Sequence, residues 1–255
     1  MKYKCIVSYD GTNFHGFQTQ DIKDYEEIVE NPRTVQEEIE KVLEKVLKIK
    51  TNITYASRTD AGVHALGQVF HFESTLDITP LSMKRAINSY LPSDIHIISV
   101  EKVDNSFNAR SDVVKKEYHY RFNLGEYNPL QKNYTYTPQK VNMKNFDLER
   151  MKESAKVFLG KHDFRSFTKA KNLANYEREI YSIDFEKNGD ILVVKFVGNG
   201  FLHNMVRILA AMIFEAGLGN YTQNQLKLIL EQKNRQFAPK ILPSSGLVLV
   251  KVYYE

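Results

Sequence analysis

Between Lys2 and Val103 the hydrophobic spacing alternates between a period of two and a period near 3.6, and the order of those segments admits few folds. Residues 2–9 alternate, with Tyr3, Cys5, Val7 and Tyr9 on one parity, and stop at the turn pair Asp10-Gly11. Val35, Ile39, Val42, Leu43, Val46 and Leu47 then recur at helical spacing against Glu and Lys, and Thr34 with Glu37 marks a capping box at the start. A short strand through Ile53 and Tyr55, a polar loop, and a strand over Gln68 to Glu73 follow. A second helix is predicted over Pro80 to Leu91, with Leu81, Ala86, Ile87 and Tyr90 inward and Pro92 closing it; Ile95 to Val103 returns as a strand. Strand, helix, strand, strand, helix, strand is the order of a ferredoxin-like unit.

The later part repeats this logic with longer pieces. Val114, Lys116, Tyr118, Tyr120, Phe122 and Leu124 share one parity of a strand. Asn142 to Leu159 reads as a helix with Phe146, Met151, Ala155 and Phe158 inward and Gly160 just past its end. Glu179 to Glu186 and Ile191 to Val197 flank Asn188-Gly189, a strong hairpin signal. Helices over Phe201 to Ala216 and Thr222 to Glu231 and a last strand over Leu247 to Tyr254 complete the chain. The expected class is α+β: two related halves, 1–105 and 106–255, forming one continuous antiparallel sheet with helices on one face. Lys161 to Arg178 reads as a loop in which Lys161, Arg165, Lys169, Lys171 and Arg178 interleave with Phe164, Phe167 and Tyr176. That pattern suits single-stranded RNA as well as it suits a solvated loop.

Charge is unevenly spread. Residues 1–105 carry 12 Lys+Arg against 16 Asp+Glu, and residues 106–255 carry 23 against 15. The second half is therefore the better phosphate-facing surface, although a merely solvated basic face would look the same. Candidate RNA contacts are Arg110, Lys115, Lys116, Arg165 and Lys169. No apolar run approaches the length of a membrane span, and the first residues alternate like a strand where an export signal would show an apolar core, so a cytoplasmic protein is expected. The single cysteine, Cys5, excludes an intrachain disulfide and reads as a buried filler. Neither a phosphate-binding loop, a dinucleotide glycine pattern nor a zinc spacing is present, so no metal and no cofactor is expected.

The chemistry-bearing stretch is Tyr55-Ala56-Ser57-Arg58-Thr59-Asp60-Ala61-Gly62-Val63-His64-Ala65, a polar loop between two strands with small residues after its acid. By position alone Asp60 fits an Asx turn or a cap. The run Ser57 to Ala65, however, closely resembles the active-site motif of the tRNA pseudouridine synthase A (TruA) family. The resemblance continues in order through Tyr9 to Gln18, Arg33 to Gln36, Lys115 to Phe122, Gly160 to Phe167, Gly198 to Arg207 and Pro243 to Leu247, across almost the whole chain.

The resemblance implies two ferredoxin-like halves around a central cleft, and conversion of uridine to pseudouridine without metal or organic cofactor, at positions 38 to 40 of the tRNA anticodon stem-loop, by a homodimer. It makes Asp60 the catalytic residue, nucleophile or general base toward the sugar. Arg207 becomes the cation beside it, Arg58 the residue that helps displace the target base, Tyr118 the residue that stacks on uracil and is placed to take its C5 proton, and Leu247 an apolar wall of the uracil pocket. Core packing for Tyr118 and Leu247 and a surface cation for Arg207 are the plain readings of the same residues; His64 and His203 read as non-catalytic. Ser57 and Phe17 stand where the family often has glycine and tryptophan, and the acidic stretch 21–32 looks like a surface insertion. A non-catalytic RNA-binding or RNA-chaperone protein on the same scaffold is the other reading, and a nucleoside glycosidase a third. A glycosidase would ordinarily show two carboxylates, and these blocks offer one.

Overall fold

The computed structural model describes residues 1–19, 32–138 and 143–255, so the acidic stretch 21–32 lies outside the described residues apart from Pro32. The chain forms two compact units, Met1–Val114 with Val248–Glu255, and Lys115–Leu247. The expected boundary at 105 and 106 thus moves to 114 and 115, and the last strand, expected in the second half, belongs to the first unit. The Lys2 and His71 side chains hold the backbone of Asn105, Phe107 and Ala109 to the first unit, which is why the break comes later than the end of the fourth strand.

In the first unit the strands are β1 (Lys2–Tyr9), β2 (Thr54–Tyr55), β3 (His64–Glu73) and β4 (Ile95–Val103), and the helices are α1 (Val35–Leu47) and α2 (Pro80–Asn88). β1 lies between β3 and β4, antiparallel to both: Cys5 faces Phe70 on one side and Val100 on the other. β2 pairs with the outer side of β3 through Tyr55 and Phe70. The order β4-β1-β3-β2 is that of a ferredoxin-like unit. Period-two burial drives it, with Tyr3, Cys5 and Val7 fully buried and the Tyr3 ring stacked on Phe72 at 5.5 Å.

Thr34 caps α1 by accepting from the Glu37 N–H at 3.3 Å, whereas the Glu37 carboxylate pairs with Lys41 at 2.7 Å; of the expected capping box, the threonine half is seen. α2 is shorter than expected. Pro80 at its first turn sets a phase that buries Met83 and Ile87 and leaves Leu81 and Tyr90 exposed, correcting two of the four residues expected inward.

The second unit contains β5 (Lys115–Asn123), α3 (Leu148–Ala155), β6 (Gly160–Asp163), β7 (Glu177–Asn188), β8 (Ile191–Gly198), α4 (Met205–Gly217) and α5 (Gln223–Gln232). β8 lies between β5 and β7, antiparallel to both, and β6 extends β7. The helix expected from Asn142 is interrupted: Asn142 lies outside the described residues, and α3 is flanked by 3-10 turns at Met143–Asn145 and Lys156–Phe158. The stretch read as an open loop carries β6, and Phe164 and Phe167 are fully buried, so these two rings serve the core and not a stacking platform. α4 is apolar on every side and buried throughout most of its length, with Phe214 stacked on Phe122 at 5.0 Å. It starts at Met205, four residues later than expected, because Asn204 adopts a left-handed conformation (φ 60°) that no helix can continue through.

The last strand, β9 (Leu247–Tyr253), pairs with β3 in the parallel sense, His64 beside Val248 and Ala65 beside Leu249. The expectation of a wholly antiparallel sheet is corrected at this pair. Among the described residues no helix is long and apolar enough to cross a membrane.

Candidate active site

Asp60 sits in the first unit, between β2 and β3, on a loop that is tied down at several points. The Ser57 N–H donates to Gln68 Oε1 at 3.2 Å, and Gln68 Nε2 donates back to the Ser57 carbonyl at 2.6 Å. The buried Thr59 hydroxyl is 2.7 Å from the Tyr9 hydroxyl on β1. The Val63 N–H closes a turn onto the Asp60 carbonyl at 3.1 Å, helped by Gly62 at positive φ. From the other side, Phe17 N–H donates to the Thr59 carbonyl and Gly62 N–H to the Phe14 carbonyl, both at 3.1 Å.

Two glycines make that approach possible. A Cβ at Gly11 would lie 2.0 Å from the Val63 carbonyl oxygen, and one at Gly16, where φ is +96°, would lie 2.9 Å from that of Thr59. The Gly11 N–H donates to His64 Nδ1 at 3.0 Å, so His64 is a buried structural partner of this loop. On the rigid frame, Asp60 is half-buried between exposed Arg58 and exposed Ala61. The arrangement presents one carboxylate at the surface of a preorganised turn with little bulk after it, a geometry that supports attack or proton abstraction on a bulky substrate.

Arg33, from the second matching block, holds the loop facing Asp60. Its guanidinium makes a two-point contact with Asp94 at 2.6 and 3.0 Å and lies 4.2 Å from the Phe14 ring centre, and its own pKa is raised chiefly by the hydrogen bond to Asp94.

Tyr118, Arg207 and Leu247 belong to the second unit. Tyr118 is buried on β5, opposite Phe196, with the Phe201 ring edge-on at 5.3 Å. Arg207 stands at the third position of α4, within its first turn, whereas a helix beginning at Phe201, as expected, would have put it about two turns in. Its Nε donates to the Leu242 carbonyl at 2.8 Å, which fixes the roll of the half-buried guanidinium. The next residue, Pro243, accepts the Tyr120 hydroxyl at 2.8 Å, and Leu247 follows, buried at the start of β9. Burial pushes the Tyr120 hydroxyl well above its ordinary pKa, against the opposing pull of Arg207, so it stays a donor to Pro243. Leu242 to Leu247 is thus one strap running from the Arg207 contact through the Tyr120 contact to Leu247.

Of the RNA-contact candidates, Arg110 is in the first unit, exposed, with its guanidinium 5.2 Å from the Tyr55 ring centre. Lys115 and Lys116 open β5 and are half-buried. Arg165 is exposed but engaged by Asp163 at 3.6 Å and by the Tyr176 ring at 4.5 Å; Lys169 is exposed, its backbone N–H held by the His203 carbonyl. Sequence reasoning missed the supporting residues Tyr9, Thr59, Gln68, Tyr120 and Leu242. Their only signal was that several sit in or beside the matching blocks.

A model of the family described as tRNA pseudouridine synthase matches residues 5–112 and 154–255. Among curated relatives, the tRNA pseudouridine synthase A of Geobacillus sp. (strain WCH70) is 42% identical over 258 residues, covering 100% of this chain and 98% of that protein. Those of Bacillus pumilus (strain SAFR-032) and Bacillus subtilis (strain 168) are 41% and 40% identical, each covering 100% of both chains. Asp60, Arg58 and Arg207 all fall within the matched blocks, and with identity of this order sustained end to end the chain belongs to the tRNA pseudouridine synthase family.

Proposed function

We propose that this chain isomerises uridine to pseudouridine in tRNA, acting at positions 38 to 40 of the anticodon stem-loop, in the cytoplasm and as a homodimer. The observation that carries the reading is the placement of Asp60 on a turn held by Tyr9, Gln68 and the Gly16 loop, in a chain that matches tRNA pseudouridine synthases along its full length. The reaction breaks the bond between N1 of uracil and C1′ of ribose, turns the base, and forms a bond from C5 to C1′; the C5 proton then leaves and N1 takes one up. Asp60 serves as nucleophile or base toward the sugar, a role that needs the ionised carboxylate, and Arg207 serves as a cationic substrate-binding residue. Tyr118 stacks on the base and takes the C5 proton, Leu247 walls the pocket, and Arg58 helps displace the target base, an extrusion that costs a few kcal/mol in a stem.

The test is to incubate the protein with an unmodified tRNA transcript and map pseudouridine. Asp60→Asn should abolish product by at least about 1,000-fold, an effect of about 4 kcal/mol on the barrier, with tRNA affinity nearly unchanged. Turnover within tenfold of wild type would remove Asp60 from the catalytic role, and a wild-type protein that binds the transcript but forms no pseudouridine would be an RNA-binding protein.

A further inference from the structure

The segment between β4 and β5 has no regular structure of its own, yet Ala109 within it is fully buried and both of its backbone polar groups are taken by side chains. Its N–H donates to His71 Nδ1 on β3 at 3.0 Å, and its carbonyl accepts the Tyr254 hydroxyl at 2.7 Å. Phe107 fills the space between those two partners, 5.8 Å from the His71 ring and 5.2 Å from the Tyr254 ring. Lys2, also buried, donates to the carbonyls of Asn105 and Phe107 at 2.5 and 2.9 Å. The residue following this latch is Arg110, whose guanidinium lies over the buried Tyr55 ring at the end of β2, where the chain enters the Asp60 loop.

We propose that His71 and Tyr254, which the reaction itself does not use, are positioning residues for tRNA binding: by clamping Ala109 from both sides they seat Arg110 on Tyr55 to meet a backbone phosphate. The proposal rests on the reading of this chain as a tRNA-binding enzyme. Its logic is one of entropy. An exposed arginine loses much side-chain and loop freedom on gripping a phosphate, and a segment already fixed by buried hydrogen bonds has paid part of that cost beforehand.

The clamp is also sensitive to protons. Nδ1 can accept the Ala109 N–H only while the imidazole is neutral. Burial lowers the His71 pKa, with Lys2 on β1 acting in the same sense and Glu73 on β3 and Asp112 of the latched segment acting against it; Lys4 is its cross-strand neighbour on β1 and Thr54 on β2. Because the folded pKa lies below the ordinary value of 6.5, the unfolded or unlatched chain binds the extra proton first. The clamp is therefore at full strength above 6.5 and weakens as pH falls below it. Simple electrostatics predicts the opposite for RNA affinity, since a protonated histidine adds positive charge.

The experiment measures the dissociation constant of the whole protein for unmodified tRNA transcript at fixed salt, at about pH 7.5 and about pH 5.5. Wild type should bind more weakly at the lower pH. His71→Asn, whose amide oxygen can accept the same N–H without titrating, should bind within about twofold of wild type at the higher pH and lose the acid weakening. His71→Leu and Tyr254→Phe should each weaken binding at the higher pH by up to about tenfold, approaching the loss in Arg110→Ala, and should add little to it when combined. Should the leucine variant fail to fold, judged by circular dichroism, Tyr254→Phe answers alone because it removes a single oxygen. Additive losses, unchanged affinity in Arg110→Ala, or wild-type binding that holds or strengthens in acid would overturn the proposal. Binding is read without turnover, so a protein that shows this pattern but makes no pseudouridine refutes the catalytic reading and leaves the clamp standing.

Discussion

A methyl group at Gly16 would meet two obstacles at once: the backbone there has φ of +96°, and the Thr59 carbonyl oxygen is 2.9 Å from where the carbon would lie. Gly16→Ala should therefore cost about 1–3 kcal/mol in urea denaturation and should lower kcat more than tRNA affinity, because the atom displaced first belongs to the residue before Asp60. A variant with wild-type stability and turnover would show that the loop yields freely. Residues like Asp60 and Arg58 stand out as candidates because their chemistry and their neighbours in sequence form one uninterrupted motif. The ties that hold them do not, since Tyr9 with Thr59 and Ser57 with Gln68 pair residues 50 and 11 positions apart through one and two hydrogen bonds respectively, and hydrophobic spacing carries no trace of them. Phe164 and Phe167 were misread for a related reason: a ring that fills a core and a ring that stacks on a base have the same apolar body, and a basic neighbour decides nothing.

Strands announced themselves better than helix ends did. β1, β4 and β5 begin and end within a residue of where alternation placed them, because burial on one face enforces strict parity. α4 began late because the apolar run Phe201-Leu202 continues its pattern backward without a break, and the interruption comes from backbone conformation at Asn204, which a hydrophobic count does not see. The strap from Leu242 to Leu247 is likewise invisible as an element, having no period, although it fixes Arg207 at one end and presents Leu247 at the other. Tyr120→Phe removes the strap's hydrogen bond at Pro243 while keeping the ring packed, and should cost about 1 kcal/mol of stability. If the strap seats the arginine and the leucine together, kcat for tRNA should fall severalfold in the same variant; unchanged kcat alongside the stability loss would assign the strap to packing alone.

At the scale of the molecule, the charge imbalance follows the structural division. The unit formed by 1–114 and 248–255 holds 14 Lys+Arg against 18 Asp+Glu, and the unit 115–247 holds 21 against 13. If Arg110, Lys115, Lys116, Arg165 and Lys169 each displace one counterion, the logarithm of tRNA affinity should fall with the logarithm of salt concentration at a slope of about −4. A slope near zero would assign those cations to solvation. The division has a further consequence, set by the parallel pairing of β9 with β3 and by the Val114 N–H that donates to the Tyr253 carbonyl at 2.9 Å. Residues 115–247 are inserted between the two stretches of the first unit, so on a ribosome the second unit is synthesised whole before the first can be finished. The Asp60 loop runs straight into His64 and Ala65, the β3 residues that wait for Val248 and Leu249, and those partners are added only after the whole second unit. Translation thus withholds the brace of the Asp60 loop until the whole second unit has been made, and a chain stalled after Leu247 would carry every residue assigned to the reaction without the strand that braces the loop.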